Sequence, residues 1–379
     1  MPKTTIQQLS EFGQSIWLDY ISKPLMKSGK LQRLIDQGLL GMTSNPSIFN
    51  DSIGNLPDYD EAISQLGESG KMPFEIYDEL TIKDIQNAAD IFSPVYRKTG
   101  GRDGYVSLEI NPKLAMNTQE SIAEGKRLFQ TVNRPNIMIK VPATDPGFPV
   151  ITELLSSRIN VNVTLIFSLQ QYARTVEAFL KGMEALAKKG KDFAKVHSVA
   201  SVFVSRIDTA ADKFLDEKNL KKSNNSLKAK IAALRGQAAV ANSKLIFEKF
   251  GKEFSSARFK SLAKKKCAVQ RVLWGSTGTK NPLYSDIKYV TELIAKSTVN
   301  TLPEKTINAF LDHGVVEEAF TFDDIGDARD IIRGLKDFKI DIDVICRQLL
   351  SDGVLAFEKS FDALLGTIES KAKSLCAKS

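Results

Sequence analysis

Eight short β-rich runs alternate with longer amphipathic stretches along this chain, and that alternation limits the folds open to it. The runs lie at 15–19, 41–45, 104–110, 137–141, 159–167, 196–204, 271–275 and 297–302, with helical patterns such as 121–132, 169–188 and 226–250 between them. Strands joined by helical crossovers belong to the α/β class and predict a parallel sheet. Eight is also the count that closes a (β/α)8 TIM-type barrel. A doubly wound sheet is the competing fold. It would be favoured by a GxGxxG turn after an early strand, and the sequence has none. The run GSTGTK at 275–280 has the wrong spacing for a phosphate-binding P-loop.

A barrel of this kind typically needs about 250 residues, and the chain has 379. The surplus predicts helical insertions at about 50–100 and 215–265 and a C-terminal helical extension at 315–379. No internal repeat or low-complexity linker divides the sequence, so 1–379 is expected to be a single decorated domain.

Several chemistries are excluded by what the chain lacks. It has two histidines, His197 and His313, and three scattered cysteines, Cys267, Cys346 and Cys376, with no CxxC pair. A histidine-rich zinc site, a HExxH helix and a GxSxG nucleophile elbow are all absent, so neither a metal nor another cofactor is expected. The odd, dispersed cysteines fit a reducing cytoplasm, and the start of the chain lacks a signal-peptide core. No apolar run reaches the ~18 residues of a membrane span. The net charge of +7 points to anionic ligands. Much of it lies in Lys218, Lys221, Lys222, Lys228, Lys230 and Lys264–Lys266, without the interleaved aromatics that stack bases, so no nucleic-acid partner is expected. The oligomeric state is left open, a homodimer being one of the allowed states.

Acid–base work therefore falls to carboxylates, hydroxyls and lysine. Lys140 lies in the apolar run NIMIKVP at 136–142. Strand lysines commonly snorkel to solvent or guard a sheet edge. A lysine buried in an apolar strand is costly as an ammonium, which favours the neutral amine that attacks carbonyls and forms Schiff bases. Its company supports the second reading. Asp19 ends one run, Thr43 and Asn45 stand two apart in the next, and Glu109 closes a third. Asn160, Asn162 and Thr164 alternate within one apolar run, as do Ser201, Phe203 and Ser205 in another. Asparagine is poor in strands, and polar groups recurring at strand ends suit the face on which barrel enzymes build their active sites. Lys140 would supply the amine, Asp19 and Glu109 the proton transfers, and the asparagines and serines the contacts to substrate hydroxyls. Arg206 and Lys280 bring positive charge suited to a sugar phosphate.

These residues fall in motifs that resemble the transaldolase family, in its longer bacterial-type branch. The motifs are GMTSNPSIF at 41–49, NIMIKVPAT at 136–144, INVNVTLIFS at 159–168 and QRVLWGSTGTKNP at 270–282, with DHG at 312–314 in the tail. The resemblance implies a metal-free, class I barrel enzyme that moves a dihydroxyacetone unit between sugar phosphates. By motif, Lys140 resembles the Schiff-base lysine and Asp19 the acid–base at carbon–carbon cleavage. Glu109 and Thr164 resemble the pair that holds the water of imine formation and hydrolysis. Thr43, Asn45, Asn162 and Ser201 match ketose contacts, and Arg206, Ser276 and Lys280 match the phosphate site. Phe203, inward beside Ser201, is expected to line the substrate. Two rivals remain at this point: a Schiff-base aldolase that releases free dihydroxyacetone, and a non-catalytic barrel that only binds sugar phosphates.

Overall fold

The computed structural model describes residues 2–190, 193, 195–221, 225–319 and 325–376. Eight parallel strands close in chain order into a (β/α)8 barrel, β1 pairing with both β2 and β8. They are β1 (Gln14–Leu18), β2 (Gly41–Thr43), β3 (Tyr105–Glu109), β4 (Ile137–Pro142), β5 (Val161–Ile166), β6 (Ser198–Phe203), β7 (Arg271–Gly275) and β8 (Thr298–Leu302).

Each expected run carries a strand, and polar residues trim the ends. β2 stops at Thr43 because the Asn45 side chain turns to accept from the Ile48 N–H at 3.0 Å, capping a short helical turn that opens with Pro46. β5 starts at Val161, one residue after Asn160, whose side-chain amide donates to the carbonyls of Pro135 and Ile137, at 3.1 and 3.0 Å.

The helix expected at 169–188 occupies Leu169–Lys188, opened by a capping box between Ser168 and Gln171. Its Tyr172, Val176, Phe179, Met183 and Leu186 recur at helical spacing and are buried. The pattern at 226–250 is two helices, Asn225–Leu234 and Ala238–Phe254. Gly236 separates them at φ +68°, and a Cβ there would come within 2.7 Å of the Tyr284 ring. The region 50–100 is not all surplus, since its helix Pro73–Lys98 is the crossover between β2 and β3. A helix at Thr5–Phe12, which the strand pattern did not announce, precedes β1. Lys228, Lys230 and Lys264–Lys266 are exposed, as a solvated helix face requires. Lys222 and the side chains of Lys218, Lys221 and Cys376 lie outside the described residues, while Cys267 and Cys346 are buried free thiols. Among the described residues no helix is long and apolar enough to cross a membrane.

Strand alternation stacks the barrel interior in layers. The floor holds a buried ion pair, Arg271 to Asp103 at 2.8 Å. Above it Trp17, Tyr105, Met138, Val199, Leu273 and Val299 form an apolar plug. Gly41 makes room for it, because a Cβ there would sit 2.7 Å from the Trp17 ring. The layer above the plug, at the C-terminal ends of the strands, is polar.

Candidate active site

The polar layer is built by neighbouring strands whose register sets side chains at one height. Glu109 pairs with Lys140, and Lys140 with Asn162, across β3, β4 and β5. The Lys140 ammonium stands 3.2 Å from Glu109 Oε2 and donates to the Ser44 carbonyl at 2.8 Å. Both side chains of the pair are buried, 5% and 6% exposed, so each charge depends on the other for compensation. The apolar surroundings read from the sequence thus contain a carboxylate placed against the amine, with Asp19 close enough to act on both. Burial pushes the Glu109 pKa up, Lys140 opposes that, and the charge of Asp19 adds to the rise. Glu109 Oε2 has only the Lys140 ammonium beside it, and Thr164 Oγ1, on β5, is buried without a hydrogen-bond partner among the described residues. An unpartnered hydroxyl and an under-coordinated carboxylate oxygen on the strands flanking Lys140 fit a polar ligand or water there.

Asp19 follows the last residue of β1. Burial raises its pKa, partly offset by Lys140 and by a hydrogen bond from Thr43. That bond, Thr43 Oγ1 to Asp19 Oδ1, is 2.7 Å, and the same hydroxyl lies 2.8 Å from Thr301 Oγ1 on β8. Asn162 is fixed from both sides: it donates to Ser107 Oγ at 3.1 Å and accepts from Ser201 Oγ at 2.7 Å. Ser107, Thr301 and the Ser44 carbonyl were not singled out from the sequence. A serine or threonine in a strand carries no local mark, although Ser107 stands two before Glu109 and so shares its face. Asn160 is spent on backbone, and Ser205 begins the helix Ser205–Lys221 instead of ending β6.

The second cluster gathers where β6 and β7 end. Phe203 is half-buried, its ring 5.5 Å from that of Phe167 and 5.5 Å from the Arg206 guanidinium carbon. Desolvation lowers the pKa of Arg206, with the charge of Asp352 opposing, and desolvation together with Arg206 lowers that of Lys280. Neither cation has an ion pair or hydrogen bond among the described residues. Two partly desolvated cations that repel each other are suited to an anion. Ser276, between them in sequence, holds φ +53°, a left-handed backbone that a serine seldom adopts, with its hydroxyl 3.2 Å from Ser205 Oγ.

The final helix, Ile342–Cys376, lies along one rim of this face. Cys346 Sγ approaches the Phe167 carbonyl at 3.3 Å, and Ser360 hydrogen-bonds Ser47 at 2.9 Å. Between them Val354 and Phe357 line a narrow cleft with Glu109, Pro142 and Leu165. Leu165 reaches the helix from a left-handed φ of +57°, at the register shift in β5. Gly353 admits it, since a Cβ there would lie 3.0 Å from Leu165 Cδ2.

Comparison with known proteins gives a consistent result. Residues 16–368 match the family model described as Transaldolase/Fructose-6-phosphate aldolase. A protein of Trichodesmium erythraeum named Transaldolase is 43% identical over 371 residues, 97% of each chain. Proteins of the same name from Mycobacterium ulcerans and Saccharopolyspora erythraea are each 42% identical, over 98% and 96% of this chain and 98% and 97% of theirs.

Proposed function

We propose that this chain, which belongs to the transaldolase/fructose-6-phosphate aldolase family, is a transaldolase carrying a dihydroxyacetone unit on Lys140. The observation that carries the reading is the amine of Lys140 buried 3.2 Å from Glu109, with Asp19 on the same polar layer. The substrates are sugar phosphates of the non-oxidative pentose phosphate pathway. Fructose 6-phosphate or sedoheptulose 7-phosphate is the donor, and glyceraldehyde 3-phosphate or erythrose 4-phosphate the acceptor. A cytoplasmic setting agrees with two buried free thiols. The helical decorations belong to the same folding unit, because one apolar cluster runs from Ile6 to Ile368.

The Lys140 amine attacks the ketose carbonyl carbon, and the carbinolamine loses water to give an imine. Glu109 accepts and returns the protons of that step, with Thr164 holding the departing water between them. Asp19 then takes the proton of the hydroxyl on carbon 4, the bond between carbons 3 and 4 breaks, and its electron pair enters the imine as an enamine. The aldehyde product leaves. An acceptor aldehyde adds to the enamine carbon as Asp19 returns the proton, and water releases the new ketose from Lys140. Asn162, Ser201 and Asn45 hold the sugar hydroxyls, while Arg206, Lys280 and Ser276 hold the phosphate at the N-terminus of Ser205–Lys221.

Changing Arg206 to Ala is expected to lower kcat/KM on phosphorylated donors by about 10²-fold, the scale of a charge-assisted bidentate contact. Transfer from unphosphorylated dihydroxyacetone should change by less than about threefold, within the scatter of one weak contact. Equal losses on both donors would refute the phosphate role.

A transferase must keep the enamine unprotonated until an aldehyde arrives. Phe203 gives that space a face with no hydroxyl to orient a protonating water. Fructose 6-phosphate alone should therefore release little dihydroxyacetone, and adding erythrose 4-phosphate should start turnover. Phe203→Tyr should raise acceptor-free release relative to transfer. Rapid release by the unaltered protein would replace the transferase reading with that of an aldolase.

A further inference from the structure

The hydroxyl of Thr43 has one proton and two oxygen neighbours, Asp19 Oδ1 at 2.7 Å and Thr301 Oγ1 at 2.8 Å. Its proton can point only one way at a time. When Asp19 is a carboxylate, Thr43 donates to it and Thr301 must donate to Thr43. When Asp19 carries a proton, it donates to Thr43, and Thr43 turns its own proton to Thr301. The same heavy-atom positions serve both states, with the chain of hydrogen bonds reversed.

We propose that Thr301 is a positioning residue for the acid–base step: through Thr43 it completes a two-hydroxyl chain that reverses as Asp19 gains and loses its proton. The proposal rests on the transaldolase reading, in which Asp19 alternates between the two states. Thr301 is well placed for it. It is buried, its backbone pairs with Trp17 of β1, and its carbonyl accepts from Thr277 Oγ1 at 3.0 Å, so the hydroxyl stands on a fixed strand end. The charged groups around Asp19 are Lys140 on β4 and Glu109 on β3, which favour opposite charge states of the aspartate. Between those opposed influences, the hydroxyl chain is the neutral element that adapts to either state without moving a side chain. Cooperative chains of this kind strengthen each link. A charge-assisted bond is about twice as strong as a neutral one, so loss of Thr301 weakens the ionised form of Asp19 more than the protonated form.

The test compares Thr301→Val, which keeps the shape and removes the hydroxyl, with Thr301→Ser, which keeps the hydroxyl. Thr301→Val is expected to lower kcat about tenfold with KM changed less than about twofold, the scale of one buried hydrogen bond acting on a proton transfer. The acidic limb of its pH–rate profile should move to higher pH, and Thr301→Ser should restore both rate and limb. If Thr301→Val fails to fold, Thr301→Ala reads the same quantities. A rate loss with an unmoved limb, or one that serine does not repair, overturns the proposal and leaves Thr301 as packing. Borohydride trapping of fructose 6-phosphate on Lys140 is run on every variant. No adduct in the unaltered protein defeats the transaldolase reading itself, whereas adducts throughout with identical pH profiles defeat only the role of Thr301.

Discussion

Lys140→Met should lower transfer by at least ~10⁴-fold, since the nucleophile that carries the intermediate is gone and no other group replaces it. Methionine keeps the length and apolar volume of the lysine stem, so the barrel should still close. The variant leaves Glu109 buried without its counter-charge. Burial already raises the pKa of that carboxyl, and removing Lys140 takes away the largest influence lowering it. A carboxyl whose folded pKa lies above its unfolded value favours the folded state below the unfolded pKa and loses that advantage as pH rises through the folded one. The stability deficit of Lys140→Met should therefore be larger at pH 8 than at pH 5, read from urea midpoints. The chemical test is direct. Fructose 6-phosphate with borohydride should add mass to the peptide containing Lys140 in the parent and to none in the variant. A label on another lysine would remove Lys140 from its role.

How far the site was legible follows from how locally each signal is written. Period-two alternation between turn residues marks a strand over five residues, so all eight strands stood out, and inward positions followed from counting by two. Lys140, Glu109, Asn162 and Ser201 could be named because each is a costly residue type in an apolar strand. Thr301 could not, because threonine suits a strand without further reason and its partner Thr43 is 258 positions away. Asn160 shows the converse: it shares the alternation with Asn162 yet binds backbone, and only the crossing of β4 distinguishes the two. The final helix is written as an apolar stripe, and a stripe does not name the surface it covers. That it meets Leu165 needs the left-handed φ of that residue and the bare backbone of Gly353, neither of which period or propensity reports.

The barrel floor gives the largest expected effect on stability. Arg271 donates to Asp103 Oδ1 at 2.8 Å, to Ser15 Oγ at 2.8 Å and to the Arg102 carbonyl at 2.7 Å. Ser15 in turn donates to Asp103 Oδ2 at 2.9 Å, and the Trp17 indole donates to Oδ1 at 3.2 Å. The side chains of the ion pair are 8% and 4% exposed, so the network is largely removed from solvent. Replacing Asp103 with Leu leaves a guanidinium buried without its counter-ion and an indole N–H without its acceptor. That should cost about 3–5 kcal/mol, as for other broken buried pairs. Asp103→Leu combined with Arg271→Met should recover much of the loss, because the uncompensated charge goes with the arginine. Urea unfolding of the two single variants and the double variant measures the coupling. The apolar plug from Trp17 to Val299 lies between this floor and the polar layer, so kcat of the folded fraction should stay within about twofold of the parent, as for sites that do not touch each other. Additive losses in the three variants would show that the pair is not the unit that holds the floor. A large fall in kcat would show that the plug does not insulate the site from it.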